Sequence, residues 1–393
     1  METTIECLKE EVQQVLTTNI LPYWIEKMQD RGNGGFYGRI TGQECLVAEA
    51  EKGAVMNARI LWTFSAAYRL LHKTEYLEIA TRAKREIIDR FYDTQFGGIY
   101  WSIDAHGQPL DTKKQVYAIG FAIYGLSEFH RATADDEALE YAVRLFHDIE
   151  LHCFDKGKNG YYEAFSREWG EIADMRLSDK DANERKTMNT HLHILEPYTN
   201  LFRVWKDEML KNRLHNLIRL FIDEIMDMDT RHLQLFFDDN WRSNYHIISY
   251  GHDIEASWLI HEAALVRQLL TEIEMYIVEM AEAAAEGFLS DGGMIYELRT
   301  DSSSIDADRH WWVQAETVVG FMNLYQHFGD KLSLSRAVRC WEFIKKYLID
   351  YANGEWYWSL SADGTVNCEN DKAGFWKCPY HNGRMCMEIM ERF

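Results

Sequence analysis

The chain has 393 residues with 63 acidic and 42 basic side chains, a formal net charge of −21 that weighs against a nucleic-acid or anionic-membrane partner. Hydrophobic residues make up 47%, ample for a core, yet no apolar run is long enough to span a bilayer and residues 1–12 carry four glutamates and no apolar leader. Seven dispersed cysteines without a C-x-x-C pair point to reduced thiols in a cytoplasmic protein.

In chain order, a helix-length amphipathic segment at 4–29 runs up to Gly34-Gly35-Phe36-Tyr37. Two such segments, 54–72 and 76–92, then precede Gly97-Gly98-Ile99-Tyr100-Trp101. Segments 115–130 and 138–153 lead to Asn159-Gly160-Tyr161-Tyr162. After 188–205 and 212–228 the glycines are missing, and Leu233-Gln234-Leu235-Phe236-Phe237 is the candidate for a degenerate copy. Segments 252–267 and 273–289 precede Gly292-Gly293-Met294-Ile295-Tyr296. Segments 311–328 and 333–348 precede Asn353-Gly354-Glu355-Trp356-Tyr357, and 378–392 ends the chain. The second glycines step by 63, 62, 133 and 61 residues, the third step being close to two periods. Such a period is sought before any other reading of the fold.

Twelve helices in six pairs, joined by six glycine-aromatic strands or hairpins, predict an all-α fold, the (α/α)6 barrel. An open α-solenoid is the alternative. With 4 prolines and no low-complexity stretch, nothing marks a boundary, and 1–393 reads as one domain. The helix after each glycine-aromatic turn is predicted to be the inner one. Gly120-Phe121-Ala122-Ile123-Tyr124-Gly125 is apolar on most faces, as a buried helix is.

The starts of these inner helices hold the unusual polar and aromatic residues. They include Asn57 and Arg59, Tyr117, Asn189 with His191 and His193, His252 with Glu255, Trp311 with Trp312, and Trp376 before His381. In a barrel they meet at one end. His252 and Glu255 lie about a turn apart on one face, where a carboxylate orients and tunes an imidazole. The helix N-terminus would oppose Glu255 by favouring neutral imidazole. His191 and His193 are two apart and cannot both face the pocket, which also weakens a metal reading of H-x-H. Asn189 and His193 share a face, so His193 belongs to the site and His191 to the structure. One ring of Trp311-Trp312 is expected in the core and one in the pocket.

Five ordered motifs carry a resemblance across the whole chain. They are Asn57-Ala58-Arg59, Asn189 to Glu196, Gly251-His252-Asp253-Ile254-Glu255, Trp311 to Glu316, and Trp376 to His381. The chain resembles the N-acylglucosamine 2-epimerase family. That resemblance implies an (α/α)6 barrel that inverts C2 at the reducing end of β-1,4-linked disaccharides, with no cofactor and no metal. It implies that His252 and His381 are the general acid/base pair, and that Arg59, Tyr117, Asn189, His193 and Glu255 bind or polarise the reducing-end sugar. Trp312 and Trp376 are then the stacking rings, with the choice between Trp311 and Trp312 open.

C2 inversion needs ring opening, proton removal α to the aldehyde, and return to the opposite face, hence two acid/base groups. Arg59 and His193 would supply donors to the enediolate oxygen. The expected partner is a small sugar, with cellobiose and mannobiose both candidates, and the chain is expected to be a monomer or weak dimer. The alternatives are N-acylglucosamine 2-epimerisation or an aldose–ketose isomerase on the same barrel, a glycoside hydrolase needing two flanking carboxylates, and an inert sugar-binding barrel.

Overall fold

The computed structural model describes residues 2–393, and the side chains of all of these except 2 and 270–272. Helix α1 (Glu2–Val15) runs through a π turn at Leu16–Ile20 into α2 (Leu21–Lys27). Then come α3 (Ala54–Leu71), α4 (Thr74–Glu86), α5 (Val116–Thr133), α6 (Asp136–His152) and α7 (Met188–Val204). The chain continues with α8 (Glu208–Leu220), α9 (Tyr250–Arg267), α10 (Leu270–Ala284), α11 (Trp311–Phe328), α12 (Lys331–Tyr347) and α13 (His381–Arg392). Packing runs α3 on α5, α5 on α7, α7 on α9, α9 on α11, α11 on α13, and α13 back on α3. These six form a closed inner ring, and the rest lie outside it, so the structure is the (α/α)6 barrel and not an open solenoid.

The inner helices approach closely because small residues face each other. At Gly120 a Cβ would stand 2.3 Å from the carbonyl oxygen of His193, so α5 can lie against α7 only as glycine. The outer helices start earlier than apolar periodicity suggests. Asp135, Asp207 and Asp330 cap α6, α8 and α12, accepting from backbone N–H groups of the first turn. Helix α13 starts at His381 instead of 378, because Pro379 disfavours helical geometry in the residue before it.

Each glycine-aromatic turn makes one antiparallel bridge: Gln29 to Phe36, Tyr92 to Ile99, Phe154 to Tyr161, Met226 to Leu233, Phe288 to Met294, and Ile349 to Trp356. The fourth confirms the degenerate copy, where Arg231 takes the positive φ (66°) held by Asn159 in the third turn and by glycine in the others. Two- and three-residue strands then lead into the inner helices, such as Lys114–Gln115 paired with Ala164–Phe165. The bridge of Ile40 with Ala373 joins the first turn to the last.

A charge pattern follows the same period. Asp30, Asp93, Asp155 and Asp350 each accept backbone N–H groups within their turn and bond a buried lysine, respectively Lys52, Lys114, Lys186 and Lys372. Lys114 and Asp93 are both 0% exposed, 3.0 Å apart, so neither charge has water to fall back on. Replacing Asp93 by alanine strands Lys114 and is expected to cost about 3–5 kcal/mol. Urea unfolding checks this, with the double change Asp93→Ala/Lys114→Met expected to recover part of the loss.

Candidate active site

The N-terminal ends of the inner helices bring the expected residues together. Arg59 of α3 is buried and donates to the Tyr117 hydroxyl of α5 at 2.8 Å. Its guanidinium lies 4.1 Å from the centroid of Phe121 and 4.8 Å from that of Tyr380, and among the described residues no carboxylate pairs with it. Its charge therefore stays available, held by ring faces, one phenol and the Trp376 carbonyl at 3.5 Å. Tyr117 packs edge-on against His193, centroids 4.9 Å apart, and faces Trp376 at 6.3 Å. Asn189 is half-buried and its side-chain oxygen has no partner among the described residues, a free acceptor at the start of α7.

The histidines separate by environment. His191 is structural: its Nδ1 bonds the Thr187 carbonyl at 2.6 Å, and its Nε2 accepts from the Tyr161 N–H at 2.9 Å. His193 bonds Glu196 through Nδ1 at 3.0 Å, one turn along α7. His381 bonds Glu316 of α11 through Nδ1 at 2.7 Å. A carboxylate beside Nδ1 accepts a hydrogen bond from its N–H and so keeps the proton on that nitrogen, which leaves Nε2 of each ring as the free base. His252 bonds the Ser249 hydroxyl at 2.8 Å through Nδ1. Trp312 joins the pair, its ring centroid 4.8 Å from His252 and 5.7 Å from His381. Trp311 instead is buried against Trp358, so Trp312 is the pocket ring.

Glu255 does not stand behind His252. The imidazole turns back to Ser249, at the start of its own helix. Glu255, three residues on and about 60° round the helix, reaches the barrel axis. There it accepts from Arg384 at 2.8 Å and lies 4.0 Å from Nδ1 of His381. Its neighbour is thus the other histidine.

Arg384 was not legible as a site residue, and neither were Glu196, Glu316 or Tyr380. Arg384 is 0% exposed and bonds Glu196, Glu255 and Glu316, as well as the Tyr380 hydroxyl. Glu316 also accepts from the Trp258 indole at 3.0 Å. One guanidinium therefore anchors the carboxylates that orient both His193 and His381. A sequence signal existed in the repeated i,i+3 spacing of His193–Glu196, His252–Glu255 and His381–Arg384.

Electrostatics follow from this packing. Glu316 keeps its charge, drawn down to about 2 against its burial by Arg384 and His381. Burial, and then the charge of Glu316, push Glu255 well above the usual carboxylate range, with Arg384 opposing them. Burial holds both His252 and His381 down, at about 3 each. Glu316 opposes that at His381 by direct hydrogen bond, whereas His252 lacks a carboxylate partner. Among the described residues, Glu255, Glu316 and His381 form the one cluster with donor atoms close enough, within 4.8 Å of one another, to hold a metal ion. The Arg384 guanidinium already bonds both carboxylates there, so the cation of this cluster is a side chain.

A closed helical barrel with arginine, phenol, tryptophan and paired imidazoles at one end defines a carbohydrate isomerase. The family model described as N-acylglucosamine 2-epimerase matches residues 35–383. The cellobiose 2-epimerase of Bacteroides fragilis is 67% identical over 98% of this chain and 99% of its own. That of Ruminococcus albus is 42% identical over 97% of this chain and 98% of its own. The solved cellobiose 2-epimerase of Bacillus thermoamylovorans superposes with a TM-score of 0.95 at 43% identity, covering 100% of both chains. The chain belongs to the N-acylglucosamine 2-epimerase family. Among the described residues no helix is long and apolar enough to cross a membrane.

Proposed function

We propose that the chain epimerises cellobiose at C2 of its reducing-end glucose, giving a glucosyl-mannose, and acts on β-1,4-mannobiose in the reverse sense. The observation that carries the reading is the pair His252 and His381, both packed against Trp312, of which His381 alone is backed by a carboxylate. The whole-length likeness to cellobiose 2-epimerases supplies the substrate.

The chemistry runs in three stages. The anomeric hydroxyl loses its proton, the C1–O5 bond breaks, and O5 gains a proton, giving the open aldehyde. One imidazole Nε2 then takes the C2 proton, and the electron pair of the C2–H bond moves into an enediolate whose oxygen faces the Arg59 guanidinium. The other imidazole returns a proton to the opposite face of C2, and ring closure reverses the first stage. The negative charge of Glu316 stabilises an imidazolium at His381, so His381 is suited to carry the proton that is returned. His252, bonded only to a hydroxyl, is suited to be the neutral base. The roles exchange in the reverse direction. The Trp312 and Trp376 rings cover sugar C–H faces and leave hydroxyls free to hydrogen-bond.

Incubation with cellobiose tests the reading. The product is expected to have unchanged mass and to yield glucose and mannose in equal amounts on acid hydrolysis. Free glucose before hydrolysis would instead mean a hydrolase, and a fructose unit would mean an aldose–ketose isomerase.

A further inference from the structure

The far end of the barrel holds a second cavity. It has a volume of ≈ 460 Å³ and is walled by the C-terminal halves of the six inner helices, on the side away from His252 and His381. That volume lies within the range of small-molecule sites, roughly 300–1,000 Å³. Four arginines and five glutamates line it. Most are already joined to one another: Arg69 with Glu128 at 2.7 Å, Arg392 with Glu388 at 2.8 Å, and Arg203 with Glu262. A charged ligand would therefore have to break a pair and leave its partner desolvated, which is costly. A neutral ligand rich in hydroxyls would use the lone pairs and N–H groups that those pairs leave over.

One wall is aromatic. Trp62 and Tyr124 lie with ring centroids 5.1 Å apart, and both line the cavity. The buried indole N–H of Trp62 has no acceptor among the described residues. Tyr124 is only 6% exposed. Buried polar groups are rarely left unpaired, so the Trp62 N–H is a point where a ligand hydroxyl gains. Glu196 also lines the cavity while bonding His193 on its other side. The two chambers are thus separated by one layer of side chains.

We propose that this cavity is a second carbohydrate-binding site that takes one neutral hexose unit, distinct from the pocket at the histidines. Equilibrium dialysis with labelled methyl β-D-glucopyranoside tests it. The locked C1 of this probe forbids ring opening, so the count does not depend on turnover and stands or falls apart from the proposed epimerisation.

The wild-type chain is expected to bind one equivalent more than Leu265→Trp, in which a large ring fills the cavity from its half-buried wall while the ion pairs stay intact. Val266→Trp serves the same purpose if Leu265→Trp does not fold. A Trp312→Ala/Trp376→Ala chain, altered in the other pocket, is expected to keep the extra equivalent. Equal binding by the wild-type and filled chains overturns the proposal. So does displacement by D-glucuronate or D-glucosamine as effective as displacement by D-glucose, because the paired charges then do not select a neutral ligand.

Discussion

Alanine at His381 or at His252 is expected to lower cellobiose epimerisation by about 10²–10⁴-fold, the usual contribution of one positioned acid or base. The two losses differ in kind. His381→Ala removes an imidazole held by Glu316 at 2.7 Å, and Glu316 stays fixed by Arg384 and Trp258. His252→Ala removes a ring whose own partner is only the Ser249 hydroxyl. Reactions in heavy water, followed by NMR at C2, separate proton removal from inversion. Each variant is expected to exchange C2–H of no more than one epimer. If either exchanges both cellobiose and glucosyl-mannose at the wild-type rate, the two-histidine assignment is wrong.

The pH dependence has a definite sign. His381 sits low in the folded chain, at about 3, and the buried His191 and His310 at about 4, all because burial disfavours the imidazolium. Their unfolded value is 6.5. Above pH 6.5 neither state binds these protons and stability is unaffected. Below it the unfolded chain takes them up and the folded chain does not. Stability therefore falls with falling pH from 6.5 toward 4, by up to about 1.4 kcal/mol per pH unit for each ring. Melting temperatures at pH 7, 6 and 5 are expected to decline steadily.

The period of the glycine-aromatic turns made the barrel legible, because each turn is a local event: a positive-φ residue, a bridge, and an apolar ring behind it. The degenerate copy was found by position alone, since Arg231 adopts the turn without a glycine. The caps at the other ends of the inner helices were less visible. His72, Ala134 and Gln268 take the left-handed conformation where glycine is the usual signal, and only Gly329 follows it.

The pocket residues were legible because they share helix starts. Their partners were not, for a physical reason. Arg384 meets Glu196, Glu255 and Glu316 across separations of 188, 129 and 68 residues, distances that only ring closure brings to zero. Within one helix, the i,i+3 rule held for His193 with Glu196 and failed for His252 with Glu255. Side-chain direction decides that difference, and spacing does not encode it.

Arg384→Met is expected to damage both stability and chemistry. The arginine is 0% exposed, and its removal leaves three buried carboxylates, Glu196, Glu255 and Glu316, without their shared cation. Breaking a buried ion network by deleting one partner costs about 3–5 kcal/mol. The carboxylates can lessen that cost by taking up protons, but a protonated Glu316 no longer favours an imidazolium at His381. The rate is therefore expected to fall even at temperatures where the variant is folded. Arg384→Lys keeps the charge but offers a single ammonium in place of a planar fork, so it cannot reach all three carboxylates in the same geometry. It is expected to regain part of the stability and little of the rate. Thermal melts and initial rates on folded protein measure the two effects apart. A methionine variant with wild-type melting and wild-type kcat would mean that the carboxylates hold His193 and His381 without the axial cation, and the reading of Arg384 as their anchor would be lost.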